Sequence, residues 1–222
     1  MVKTVGVLGL GIFGSTIAQE LGEQHYDVIA VDQDIEDVNR VVEYVVQAVQ
    51  GNITDLDLLE SIGFENCDVA VIGTGTNLEA SVLAIMNCKK LGIKKIIAKA
   101  KNRSYMEILL EMGADEVIRP EIEMGTKVAR NIMRHNILDM INLDDENSII
   151  EFMAPKRWVG KSLQELNLRQ KYDMNIIGFK STPSDTLSIV IPPEQKIEAN
   201  SFIVAIGKTE VFEHLDYSNK LN

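Results

Sequence analysis

The chain has 222 residues, of which 45% are hydrophobic and 25% charged, with a net charge of −11. These proportions fit one large or two smaller globular domains, and the acidic balance argues against nucleic acid as a partner. Two cysteines, Cys67 and Cys88, are too few for a disulfide scaffold or a metal cluster. No apolar run approaches the roughly 20 residues of a membrane span, and the chain opens on a core strand rather than a signal peptide, so we expect a cytoplasmic protein.

Residues 5–32 follow the order strand, glycine loop, helix, strand, acid. Gly9 suits the tight turn, Gly11 lets backbone approach a phosphate, and Gly14 allows close packing of helix on strand. The helix start attracts an anion, and Asp32 can accept hydrogen bonds from both ribose hydroxyls while repelling a 2′-phosphate. The pattern predicts an adenine-nucleotide site that disfavours NADP; the alternative is a glycine-rich turn without a ligand.

Strands and helices alternate along the first 120 residues, which predicts a Rossmann-like, doubly wound parallel sheet of the α/β class. The predicted strands are 4–8, 28–31, 47–49, 69–72, 95–98 and 116–118. Helical spacing of apolar residues falls in three stripes: Phe13, Ile17 and Leu21; Val38, Val41, Val42 and Val45; Leu78, Val82, Ile85 and Met86. Ser104 and Glu107 form a capping-box pattern that predicts the start of a further helix, and Gly63, Gly92 and Gly113 mark helix ends.

The pattern changes after residue 125, where 126–141 predicts one longer helix. Strands are then predicted at 148–153, 175–180, 187–191 and 202–206, with Pro183, Pro192 and Pro193 punctuating this part. A capping box of Ser162 and Glu165 predicts a short helix at 162–167, and 209–215 predicts a terminal one. We therefore expect a nucleotide-binding domain at 1–141 and a smaller α+β domain at 142–222, which is close to the size at which pairing with a copy adds needed stability.

Ligands of doubly wound sheets lie outside the carboxyl ends of the strands. The residues placed there form the predicted nucleotide site: Gly9, Gly11, Ile12, Phe13, Gly14, Asp32, Gln33, Asn52, Ile53, Thr74, Gly75, Asn77 and Lys99. Two of them have an ordinary alternative, because Asn77 also fits a helix N-cap and Lys99 a solvated strand end.

The histidines do not fit a catalytic role at that edge. His25 falls in a helix–strand turn on the opposite side of the sheet, His135 in the middle of a helix and His214 near the C-terminus. No Ser-His-Asp or Cys-His arrangement is evident either. Nucleotide binding without catalysis points to sensing, so we expect no enzyme.

The residues also carry a family resemblance. The N-terminal half, with its glycine loop, Asp32, Gly113-Ala114-Asp115, Pro120-Glu121 and Met124-Gly125, resembles the RCK (regulator of potassium conductance, TrkA-N) domain. The C-terminal half, with 160–163, 166–169, Tyr172, Asn175-Ile176 and 202–207, resembles the TrkA-C domain. Together they are similar to the cytosolic gating subunits of Ktr-type potassium uptake systems.

The resemblance implies a dimer that assembles into an octameric ring, docked on a membrane potassium-translocating subunit. ATP and ADP compete at the N-terminal site, which NAD or NADH can also occupy. The acid at Glu121 would help to hold Mg²⁺ or Ca²⁺ near the phosphates; the alternative is that it only favours the start of a helix.

The resemblance further implies that a dimer of C-terminal domains binds cyclic di-AMP, which shuts transport. Leu163, Leu168, Ile176 and Pro192 would wall the adenines, within a stretch that also holds Tyr172 and Ile177. Arg169 would neutralise a phosphate, and Asn175 would hydrogen-bond an adenine edge. The alternative is an ordinary dimer core with Arg169 in a surface ion pair.

Two positions depart from the family pattern. Ile12 stands where relatives often carry an arginine that reaches the terminal phosphates, and Asn52 where they often have aspartate. Two other functions stay open at this point: an NAD-dependent oxidoreductase, which would need a catalytic donor, and a nucleotide-sensing repressor, which would need a basic or helix-turn-helix segment.

Overall fold

The computed structural model describes residues 4–134, 136–192 and 194–218. His135 and Pro193, which figured in the sequence interpretation, lie outside these ranges. The chain divides after Met124 into an N-terminal and a C-terminal compact unit. No helix of the described residues is long and apolar enough to cross a membrane.

The N-terminal unit is built on a six-stranded parallel sheet whose order is β3-β2-β1-β4-β5-β6. The strands are β1 (Thr4–Leu8), β2 (Asp27–Asp32), β3 (Gln47–Gln50), β4 (Val69–Ile72), β5 (Lys95–Lys99) and β6 (Glu116–Ile118). The helices are α1 (Ile12–Glu23), α2 (Ile35–Asn39), α3 (Leu56–Ser61), α4 (Leu78–Lys90), α5 (Arg103–Glu111) and α6 (Pro120–Met133), the last of which continues into the C-terminal unit. Strand order and helices confirm the Rossmann-like α/β prediction.

Helices cover both faces of this sheet, which explains why its central strands are apolar throughout. One core contains Leu59 of α3, Ala84 of α4 and Leu109 of α5. The other contains Ala18 of α1 and Val38 of α2. Helices α3, α4 and α5 therefore share one face, while α1 and α2 share the opposite one.

The C-terminal unit holds a smaller antiparallel sheet in the order β7-β8-β10-β9. Its elements are β7 (Ile137–Asn142), β8 (Asn147–Met153), α7 (Leu163–Leu166), α8 (Leu168–Tyr172), β9 (Asn175–Lys180), β10 (Phe202–Lys208) and α9 (Thr209–Tyr217). Its core packs Phe152 edge-on against Trp158, with ring centroids 5.9 Å apart, beside the buried Phe212 of α9. The predicted capping box is confirmed, since the Ser162 hydroxyl accepts from Glu165 and the Glu165 carboxylate from Ser162.

Two predicted elements of this part are wrong. The helix expected at 126–141 ends at Met133, and 137–142 instead forms β7, paired with β8. Pairing along β8 buries Ile137 and Met140, and this tertiary contact outweighs local helix preference. The strand expected at 187–191 makes only an isolated bridge from Ser188 to Phe179.

Three helix details of the N-terminal unit also differ from prediction. Helix α2 stops at Asn39, so Val42 is half exposed instead of packing with the other valines of its stripe. Met86 of α4 is exposed as well. Helix α5 is capped by Asn102, whose side chain accepts from the Tyr105 amide, rather than by Ser104. Asparagine is as good an N-cap as serine, so the helix begins after Asn102, the first of the two residues in the chain.

Candidate nucleotide site

The glycine loop between β1 and α1 is shaped by close backbone approach. Gly9 has a φ of +95°, a left-handed conformation that favours glycine, and a Cβ on Gly14 would lie 1.9 Å from the Gly9 carbonyl oxygen. A Cβ on Gly11 would meet nothing within 4 Å. The loop thus packs tightly beneath Gly14 and leaves open space over Gly11, beside the free amides at the start of α1.

Asp32 ties the end of β2 to this loop. Its Oδ2 accepts a hydrogen bond from the buried Leu10 amide at 2.6 Å, and its Oδ1 accepts one from the Asp34 amide at 2.9 Å. Each carboxylate oxygen can accept a further bond. The carboxylate is therefore held in one orientation and can still receive ribose hydroxyls.

A cavity of about 510 Å³ opens at the carboxyl ends of β1 to β4. Seven of the predicted nucleotide residues line it: Gly9, Asp32, Gln33, Asn52, Ile53, Thr74 and Asn77. The other six, Gly11, Ile12, Phe13, Gly14, Gly75 and Lys99, do not line it. The location is the one expected for a ligand of a doubly wound sheet.

Five further residues line the cavity that were not among the predicted nucleotide-binding residues: Thr54, Thr76, Glu79, Ala80 and Leu83. Glu79 and Leu83 are four residues apart on α4, and both are exposed. Their spacing on one helix face, outside the apolar stripe, was the available sequence signal. Asn77 also caps α4 by accepting from the Ala80 amide at 3.1 Å, so the alternative role considered for it is present.

Lys99 and Glu121 meet at the edge of the glycine loop. The Lys99 Nζ donates to Glu121 Oε1 at 2.5 Å and lies 5.7 Å from the centroid of the Phe13 ring on α1. Gly75 leaves room for the lysine stem, because a Cβ there would lie 3.0 Å from the Lys99 Cγ. The ammonium hydrogen bond lowers the pKa of the Glu121 carboxyl, which also sits in the first turn of α6. Lys99 is thus a partly buried cation with a carboxylate partner, not a fully solvated strand-end lysine.

Within the described residues, no three His, Cys, Asp or Glu side chains come together in a way that could hold a metal ion. A cation bound at Glu121 would compete with Lys99 for the carboxylate.

A second cavity, of about 290 Å³, lies in the C-terminal unit beside α7, α8 and β9. Of the residues predicted for cyclic di-AMP, Leu163, Leu168, Arg169, Asn175 and Ile176 line it; Tyr172, Ile177 and Pro192 do not. Gln164, Asn167 and Met174 complete the lining. Arg169 and Asn175 are exposed and carry no ion pair or hydrogen bond to another described side chain, so the surface ion pair considered for Arg169 is not formed within the described residues.

Neither of the two described histidines lines the nucleotide cavity. His25 occupies an exposed turn after α1 with a φ of +63°, and His214 is exposed on α9. The titratable side chains that line the cavity are the carboxylates of Asp32 and Glu79.

Comparison with known proteins agrees with this architecture. The TrkA-N domain family matches residues 5–120, and the TrkA-C domain family matches residues 148–216. Two curated relatives from Bacillus subtilis are Ktr system potassium uptake protein C, 37% identical over 93% of both chains, and Ktr system potassium uptake protein A, 37% identical over 92% of this chain and 91% of its own. A solved structure of the GsuK channel bound to NAD aligns with 98% of this chain at a TM-score of 0.64 and 18% identity, and this chain spans 39% of that channel chain.

Proposed function

Since this chain belongs to the RCK family and contains a TrkA-N and a TrkA-C domain, we propose that it is the nucleotide-binding regulatory subunit of a potassium uptake system. The observation that carries the proposal is the cavity at the glycine loop, with Asp32 oriented at its edge. In this role the chain switches a membrane potassium-translocating subunit between transport states instead of catalysing a reaction.

The ligand of this cavity is an adenine nucleotide. The open space over Gly11 and the α1 amides suit its phosphates, and Asp32 suits its ribose. ATP and ADP exchange at the site as the switching ligands, and NAD or NADH is a further occupant, in keeping with the NAD reported for the GsuK channel. Ile12, 85% exposed at the start of α1, brings no charge to the phosphates, whereas Lys99 at the end of β5 is a cation whose Nζ lies 5.7 Å from the centroid of the Phe13 ring.

A Mg²⁺ or Ca²⁺ ion bridging Glu121 and the ATP phosphates would assist the switch. Hard cations take carboxylate and phosphate oxygens, and Glu121 presents a mostly exposed carboxylate beside the loop. Metal should then tighten ATP binding and leave ADP binding little changed. If metal tightens ATP binding as much in Glu121→Gln as in the wild-type chain, Glu121 does not hold the metal, and its contact in the structure is the ion pair with Lys99.

Cyclic di-AMP is the proposed inhibitory effector, bound where two C-terminal units pair. A two-fold symmetric ligand suits a two-fold interface, and Arg169 and Asn175 stand unpaired among the described residues at the cavity edge. Arg169→Ala and Asn175→Ala in the full-length chain should each abolish or strongly reduce cyclic di-AMP binding while ADP binding stays intact. A wild-type chain that forms dimers yet shows no binding heat with cyclic di-AMP would remove this effector from the proposal.

The proposed assembly is a dimer-based octameric ring in the cytoplasm, held at the membrane by its partner subunit. Light scattering on the purified chain should report a ring in the absence of that partner. Calorimetry with ATP, ADP and NADH tests the ligand, and potassium flux into vesicles that contain the translocating subunit tests the switch. Flux that does not respond to the chain, with either nucleotide present, would refute the regulatory role.

The two alternative functions are outcomes of simple assays. An oxidoreductase would transfer hydride from NADH to a substrate, but the titratable groups lining the described cavity are two carboxylates. A repressor would shift DNA fragments in a gel, against the net charge of −11.

A further inference from the structure

The base end of the nucleotide cavity can be located from the sheet. Asp32 ends β2 and pairs with Gln50 at the end of the neighbouring β3, so residues 52–54 lie directly beyond the ribose acid. Helix α4 faces these residues, because Asn87 of α4 donates to the Thr54 carbonyl at 2.9 Å. With phosphates at the glycine loop and ribose at Asp32, the base extends between residues 52–54 and the first turns of α4.

Several polar groups of residues 52–54 are already hydrogen-bonded. The Asn52 Oδ1 accepts from both the Thr54 amide and the Thr54 hydroxyl, at 3.0 and 2.9 Å. The Thr54 carbonyl oxygen accepts a hydrogen bond from the Asn87 side-chain amide. The walls around them, Ile53, Ala80 and Leu83, are apolar and hold a base without distinguishing its edges.

Glu79 brings a charged side chain to this end of the cavity. Its carboxylate lines the cavity from the first turn of α4 and has no hydrogen bond or ion pair with another residue in the described ranges. A carboxylate can only accept hydrogen bonds at neutral pH. It therefore distinguishes a base edge that carries an amino donor from one that carries a carbonyl acceptor.

We propose that Glu79 reads the base, accepting a hydrogen bond from the exocyclic 6-amino group of adenine and repelling the 6-carbonyl of guanine and hypoxanthine. This inference rests on the proposed nucleotide site and adds its base specificity. It assigns to α4 the discrimination among bases, whereas the glycine loop and Asp32 bind any nucleoside phosphate.

The test compares ADP with purine riboside diphosphate, which has a hydrogen in place of the 6-amino group and keeps the N1 acceptor. Calorimetry on the full chain should show that wild type prefers ADP by about tenfold or more, the usual worth of a hydrogen bond to a charged group. In Glu79→Gln the preference for ADP should narrow to about threefold, since the neutral amide oxygen accepts a weaker hydrogen bond than the carboxylate. Glu60→Gln, an exposed glutamate on α3 that does not line the cavity, should keep the wild-type preference.

The outcomes separate the inference from the function beneath it. Equal wild-type affinity for the two nucleotides, or an unchanged preference in a Glu79→Gln chain that still binds ADP, would overturn base reading by Glu79 and leave the nucleotide site in place. Failure of the wild-type chain to bind ADP at all would overturn both.

Discussion

Asp32 has a structural role and a proposed role in ligand binding, so replacing it should change both the stability of the fold and the affinity for nucleotide. Its carboxylate accepts from the amides of Leu10 and Asp34, and in the proposed site it also accepts from ribose hydroxyls. Asp32→Ala leaves the amide of the fully buried Leu10 without its acceptor. An unsatisfied buried donor costs on the order of 1–3 kcal/mol of unfolding free energy. Asp32→Asn keeps a carbonyl acceptor for Leu10 and should lose less.

The effect on ligand binding is separable from the effect on stability. Losing a charged acceptor typically costs about 1.5–3 kcal/mol, a tenfold to hundredfold loss of affinity for ADP. The wild-type chain should lose about the same affinity when ADP is replaced by 2′,3′-dideoxy-ADP. Asp32→Asn, which has already lost the charged acceptor, should lose little further affinity on that replacement. Such a cycle isolates the interaction between Asp32 and the hydroxyls.

Calorimetry measures the affinities, and urea denaturation measures stability. Asp27→Asn, at the exposed opposite end of the same strand, is the matched control and should behave as wild type in both. Unchanged ADP affinity in a folded Asp32→Asn chain would refute the placement of ribose at Asp32. Equal losses on removing the hydroxyls from wild type and variant would refute it as well.

Three further predictions concern the loop, the ion pair and the thiols. Gly14→Ala should lower the urea midpoint, because its Cβ would strike a backbone carbonyl, while Gly11→Ala should keep wild-type stability; equal midpoints would contradict the loop geometry. Lys99→Ala should raise the pKa of Glu121 toward its ordinary 4.5, which carboxyl NMR can follow. In the wild-type chain the ion pair therefore stabilises the fold above pH 4.5, and this stabilisation is lost as the pH falls through the lowered pKa that Glu121 has in the folded state. Burial raises the pKa of both cysteine thiols to about 12, so neither should react with a disulfide reagent at pH 8 until the chain unfolds; prompt reaction in the native state would show that the cores are open.

Local sequence determined the N-terminal sheet and the glycine loop. Each of the six parallel strands was predicted within two residues of its observed ends. The central strands β1, β2 and β4 were the clearest, because both faces of such a sheet are covered and these strands read as short apolar runs. The loop glycines were equally legible, since close approach at Gly14 and positive φ at Gly9 admit few other residues.

Tertiary structure decided the features that depend on partners distant in the chain. Strand β7 forms because it pairs along its length with β8. Residues 187–191 form no strand, because their pairing with β9 is limited to the isolated bridge between Ser188 and Phe179. The Lys99–Glu121 pair joins residues 22 positions apart, and the place of Glu79 at the cavity depends on the packing of α4 beside residues 52–54. A side chain's periodicity tells which way it points from its own element, but only the packing of several elements tells what it faces.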